Sequence, residues 1–221
     1  MALLHRAEIR PTKLELLSAW LPGRVWYEGP PSPEVTRVSA YRFDDPAGEV
    51  GIETLLVRAG DGPLLQVPLT YRAAPLDGRN PWLIGTMEHS VLGRRWVYDG
   101  CGDAVYAAVL AETIRTGGTQ AEELVETDGR LERRDPGIVV RGSVSGAPAV
   151  PAVEDIVSVD DDPTIIRTAM VELTVARVLR PESIRGDGDG DGDGGDGLAL
   201  TGTWAGQPTP MVLARARAIG G

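Results

Sequence analysis

Residues 50–72 read VGIETLLVRAGDGPLLQVPLTYR, and this stretch decides the fold. Val50, Ile52, Thr54 and Leu56 share one face of an extended chain, and Glu53, Leu55 and Val57 fall on the other. Gly60-Asp61-Gly62-Pro63 then supplies a turn, after which Leu65, Val67, Leu69 and Tyr71 alternate with Gln66, Thr70 and Arg72. A period of two is the signature of strands whose side chains point to opposite sheet faces. Upstream, Val35 to Phe43 alternates in the same way. The three runs predict a meander of antiparallel strands. Pro68 lacks a backbone donor, which predicts an edge position or a bulge there.

Working outward, helices are few. Thr12 and Glu15 form a capping-box pattern ahead of Leu14, Leu17 and Leu21, and Pro22-Gly23 ends that run. The second helix is expected over Asp103 to Thr116, with Val105, Tyr106, Val109, Leu110 and Ile114 as its apolar stripe and Gly117-Gly118 as its stop. Leu83 to His89 with Arg94 to Tyr98 reads as a hairpin. So does Glu122 to Arg134, turned at Asp128-Gly129, with a short helix from the Thr119 and Glu122 capping pattern as its competitor. Ile138 to Gly142 is a further strand. Late in the chain, Asp155 to Val159 and Ile165 to Arg180 flank a turn at Asp161-Asp162-Pro163. Val171 to Leu179 and Leu198 to Trp204 are expected as two long strands joined by a solvated tip, with Met211 to Ala218 as an added strand. The fold class expected is α+β: a curved, mostly antiparallel sheet with two main helices, 12–21 and 103–116, and a C-terminal β-hairpin extension. The division expected is 1–142 and 143–221, with Ser143 to Pro151 as linker and 186–197 as a disordered Gly-Asp loop. A C-terminal part continuous with the first sheet is the alternative.

Composition narrows the function classes. The chain has 28 glycines and 17 prolines in 221 residues, the pattern of a strand-and-turn protein. Its net charge of −10 argues against nucleic acid, whose affinity comes from neutralised phosphates. No stretch approaches the length of a membrane span and no signal peptide is visible, so a cytoplasmic location is expected. Cys101 is the single cysteine, in a Gly-Cys-Gly turn, which excludes an intramolecular disulfide. Only one basic residue, Lys13, is a lysine; the other 21 are arginines. Phosphoryl-transfer sites commonly hold phosphates with an ammonium, and Lys13 stands at a helix start, not in a phosphate loop.

Candidate chemistry is sparse. Asp187, Asp189, Asp191, Asp193 and Asp196 alternate with glycine, but a calcium loop begun at Asp187 or Asp189 puts Leu198 or Leu200 where the closing carboxylate belongs. His5 and His89 have no second ligand nearby in sequence. No serine has a nucleophile-elbow context, and Asp44-Asp45 and Asp160-Asp161-Asp162 sit at turns. The expectation is no catalytic, cofactor-binding or metal-binding residue. Trp20, Arg24, Trp26 and Tyr27 are the one interaction-surface candidate, because indoles stack on sugars and on partner surfaces. The competing reading is that Trp20 and Trp26 close a small core between helix and sheet.

The stretch Ala19-Trp20-Leu21-Pro22-Gly23-Arg24-Val25-Trp26-Tyr27-Glu28-Gly29 resembles the W-L-x-x-R-x-W-[FY]-x-G opening of the N-terminal cap of actinobacterial maltokinases. Leu64 to Leu69, Leu83-Ile84-Gly85-Thr86, Trp96 to Gly100 and the helix from Asp103 to Ile114 resemble later segments of that cap, in the same order. The resemblance spans residues 13 to 118. Maltokinases phosphorylate maltose with ATP on the route from trehalose to α-glucan. A weaker similarity sets Val171 to Pro181 on a kinase strand, and there Thr174 stands at the lysine position. No H-G-D-L-H-type loop and no D-F-E-type metal ligand follows. The resemblance therefore implies the cap fold without catalytic residues: a stand-alone, non-catalytic module that binds a protein of trehalose, maltose or α-glucan metabolism, or another copy of itself. The alternatives are a degenerate sugar kinase or a carbohydrate-active enzyme in which Trp20, Trp26 or Trp96 contacts glucan, and a calcium-responsive module. A glucan site requires exposed, coplanar aromatics beside two carboxylates.

Overall fold

The computed structural model describes residues 2–4, 8–127, 130–143, 153, 155–180 and 198–219. In chain order the strands are β1 (Ala2–Leu4), β2 (Ile9–Arg10), β3 (Val35–Phe43), β4 (Gly51–Ala59), β5 (Leu64–Arg72), β6 (Leu83–His89), β7 (Gly93–Asp99), β8 (Glu123–Thr127), β9 (Arg130–Arg133), β10 (Ile138–Gly142), β11 (Ile156–Asp161), β12 (Thr164–Thr168), β13 (Val171–Val175), β14 (Val178–Leu179), β15 (Leu198–Trp204) and β16 (Gln207–Ala218). Among the described residues there are two α-helices, α1 (Lys13–Trp20) and α2 (Ala104–Thr116). The molecule is thus α+β, mostly antiparallel strand with a curled sheet and two helices.

The first sheet runs β2-β6-β7-β5-β4-β3, and β14 also pairs with β5. The expected meander is β3-β4-β5, antiparallel throughout. Its middle strand is buried on both faces. Ile52 and Leu56 pack with Tyr41, Phe43 and α2, while Leu55 and Val57 pack with Leu17, Trp20 and Leu21. One sheet layer therefore separates two hydrophobic cores, the layered arrangement that lets a strand of this composition hide both sides. Pro68 is not on an edge strand. On one side it pairs with Thr54 of β4. On the other it falls in the gap between β14, which ends its pairing at Leu65, and β7, which begins at Leu69. The missing donor thus faces a position where no ladder bond is required.

The second sheet runs β10-β15-β16-β13-β12-β11. Here the expectation needs correction. Val171 to Leu179 is not one strand and does not pair with Leu198 to Trp204. It breaks into β13 and β14 around Ala176-Arg177. β16 lies between β13 and β15, and the β15-β16 hairpin supplies the C-terminal ladder. The break has a cause: β14 leaves this sheet to pair with β5 of the first. Residues 186–197, the Asp128-Gly129 turn and His5 lie outside the described residues.

β10 comes from before residue 143 and the other five strands of the second sheet from after it. Helix α2 sits between the sheets. Tyr106, Leu110 and Ile114 are fully buried against residues of both. Asp103 caps the helix by accepting from the Val105 amide at 3.0 Å. Gly117 closes it at φ +67°, a left-handed conformation that glycine adopts without strain. The segment after it straps the sheets together. The Ala121 amide donates to the Arg42 carbonyl, and the Gly142 amide donates to the Gly118 carbonyl.

Candidate functional site

Thr12 accepts from the Glu15 amide and Glu15 accepts from the Thr12 amide, so the capping box starts α1 as expected. Helix α1 lies across the first sheet, with Leu17 and Trp20 buried beneath it. A 3-10 turn over Leu21–Gly23 leads on to Trp26. The two indoles meet edge to face, with centroids 5.8 Å apart and planes at 61°. Both are buried, Tyr27 is half-buried, and Val25 between them is 68% exposed. The Arg24 guanidinium lies 4.9 Å over the Trp20 ring. Trp20 and Trp26 thus close a core between helix and sheet. They are neither exposed nor coplanar, as a glucan platform would require.

Trp26 also locks the two sheets. Its Nε1–H donates to Asp161 of β11 at 3.1 Å, and the Arg177 guanidinium lies 5.1 Å over its ring. Arg177 is buried. It donates to Asp99 at the end of β7 at 2.6 Å and to the Thr164 hydroxyl at 2.9 Å. Burial opposes the Arg177 charge, but the attraction of Asp99 outweighs it and holds the guanidinium ionised. Cys101 lies in this region, in the turn Gly100–Gly102, and burial pushes its thiol well above the ordinary range. A thiol in that state is not a nucleophile. Gln66 of β5 completes the joint. Its Nε2 donates to the Ala176 and Leu213 carbonyls at 3.0 and 2.9 Å, and its Oε1 accepts from Tyr41 at 3.2 Å.

A second constellation escapes sequence reading. On the α1 face of the first sheet, Arg42 of β3 stands opposite Glu53 of β4 in register. Glu53 is buried. It accepts from Lys13 Nζ at 2.5 Å, from Arg42 at 3.2 Å and from the Tyr71 hydroxyl at 2.7 Å. Arg42 reaches Glu123 at 3.6 Å on its far side. Burial would raise the Glu53 carboxyl, but Lys13 and Arg42 overcome it and bring it down to about 2. Lys13 is shifted the other way from a typical paired lysine. Its burial lowers it, Glu53 opposes that, and Arg42 repels it. Glu53 is held down by two cations, whereas for Lys13 the loss of solvation and the Arg42 charge together outweigh its one anion. Burial and the neighbouring Glu53 carboxylate raise the Tyr71 phenol.

The signal in sequence was Glu53 itself, a carboxylate facing Leu55 and Val57 in a strand buried on both sides. Its partners could not be read, because they come from an N-terminal helix and two other strands.

Among the described residues, no helix is long and apolar enough to cross a membrane. Residues 20–103 match the family model described as the maltokinase N-terminal cap domain. That segment, from the last residue of α1 to Asp103 at the start of α2, is similar to that cap domain. A search of the curated proteins returned no match to the chain.

Proposed function

We propose, from the cap-like character of residues 20–103, that this chain acts by binding and not by catalysis. It would serve as a cytoplasmic interaction or regulatory module of trehalose, maltose or α-glucan metabolism, docking on an enzyme of that route or on a second copy of itself. One observation carries this reading. The chain's only lysine is ion-paired to buried Glu53 at 2.5 Å and stands 5.3 Å over the Tyr71 ring. The group that would suit nucleotide phosphates is engaged in holding α1 to the sheet. The aromatic pair that would suit a sugar is likewise engaged in packing.

The surface proposed is the turn presented by that pair: Arg24, Val25 and Tyr27, held from below by Trp20 and Trp26. A rigid base with an arginine and an exposed apolar residue is how protein–protein hot spots are built. The test has two arms. Incubation with ATP, Mg²⁺ and maltose, trehalose or glucose should yield no sugar phosphate; phosphorylation by the isolated chain would overturn the reading. Affinity capture from the native host should recover an enzyme of α-glucan or trehalose metabolism, or the chain itself, and Arg24→Glu should abolish that capture. Equal capture by the variant sinks the proposed surface.

A further inference from the structure

Beside Lys13 and Arg42, on the α1 face of the first sheet, lies a cleft of about 280 Å³. Its floor is apolar: Ile9, Tyr71 and Met87 come from β2, β5 and β6. Three cations line it as well: Lys13, Arg42 and Arg95 of β7, the last directly opposite Met87 in register. His89 also lines it. The His89 Nδ1 accepts from the Val91 and Leu92 amides at 3.2 and 3.1 Å, which places the ring proton on Nε2.

The cations differ in how they are engaged. Glu53 takes Lys13 and Arg42, and Glu123 is shared between Arg42 and Arg134. Arg95 has no carboxylate partner among the described residues. Its one hydrogen bond there, Nη1–H to the Arg94 carbonyl at 3.2 Å, leaves the rest of the planar fork for a ligand. Lys13, Arg42 and Arg95 line the cleft with Glu49, and Glu53 pairs with the first two. Three cations against these two carboxylates leave an excess of one positive charge, in a chain of net charge −10. A positive cleft in an acidic protein concentrates anions from solution.

We propose that this cleft binds a small organic carboxylate, with Arg95 as its bidentate partner and an apolar or ring-shaped body resting on Tyr71, Met87 and Ile9. The apolar floor with few convergent polar groups is the ordinary make-up of a small-molecule site. The single excess charge matches a monoanion, and the guanidinium fork matches a carboxylate in plane. This goes beyond the docking role above and does not depend on it.

The probe is benzoate, titrated calorimetrically into the full chain at low salt. Saturable binding that weakens as salt is added is expected, with benzyl alcohol giving none and phenyl phosphate binding more weakly than benzoate. Arg95→Gln should weaken benzoate by about tenfold or more, the worth of a charge-assisted pair, with its thermal unfolding unchanged. Arg95→Lys, which keeps the charge and loses the fork, should fall between. Absence of saturable benzoate binding overturns the proposal. So does equal affinity across wild type and both variants, or tighter binding of phenyl phosphate.

Discussion

Replacing Glu53 by glutamine removes one charge from the centre of the first sheet and keeps the side chain's shape. The carboxylate's ordinary value of 4.5 falls to about 2 in the folded chain. That gap corresponds to about 3 kcal/mol of stability. The sign follows from the direction: a depressed carboxyl contributes fully above its unfolded value, and the contribution is lost as pH falls from 4.5 through 2. In Glu53→Gln, Lys13 and Arg42 face each other in a largely buried site without their anion. Breaking a buried pair costs about 3–5 kcal/mol. The low end applies, because the Lys13 and Arg42 side chains keep 24% and 20% of their exposure. The assay is urea unfolding followed by circular dichroism at a series of pH values. At neutral pH the variant should be less stable by about 3 kcal/mol. The difference should close as the wild type loses its advantage below pH 4.5. A variant as stable as wild type at neutral pH, or a difference that stays constant down to pH 2, would refute the assignment of Glu53 as the ion-paired centre of this face.

Three further outcomes follow from other parts of the joint. Asp99→Ala leaves Arg177 buried without its anion and should lower stability by about 3–5 kcal/mol, measured by the same unfolding curves. A Cβ added at Gly142 would stand 1.9 Å from the Thr113 carbonyl oxygen of α2, and backbone cannot give way as a flexible side chain can. Gly142→Ala should therefore cost about 3 kcal/mol or more, read as a drop in Tm with α2 and β10 forced apart. Trp26→Phe keeps most of the packing but removes the Nε1–H bond to Asp161. It should cost about 1–2 kcal/mol, and combining it with Asp161→Ala should add little beyond the larger single effect.

Much of the fold was legible because it is local. The alternation at 35–43 and 50–72, the turn at Gly60-Asp61-Gly62-Pro63 and the capping box at Thr12 and Glu15 each act within a few residues, and each forms where the sequence places it. The hairpin of β6 and β7 follows for the same reason. The failures are non-local. Val171 to Leu179 has the alternation of a single strand. Its break at Ala176-Arg177 is set by Gln66 of β5, more than a hundred residues away, whose side-chain and backbone N–H groups donate to the Ala176 and Arg177 carbonyls.

The sequence by itself determined that this is a strand-rich protein with two capped helices, an acidic surface and one lysine, since spacing and composition carry those facts directly. Only tertiary structure decided what Lys13, Trp26 and Glu53 are for. A side chain's chemical role depends on the charge and solvent around it, and here those come from β3, β5 and β11, brought near by folding and not by order along the chain.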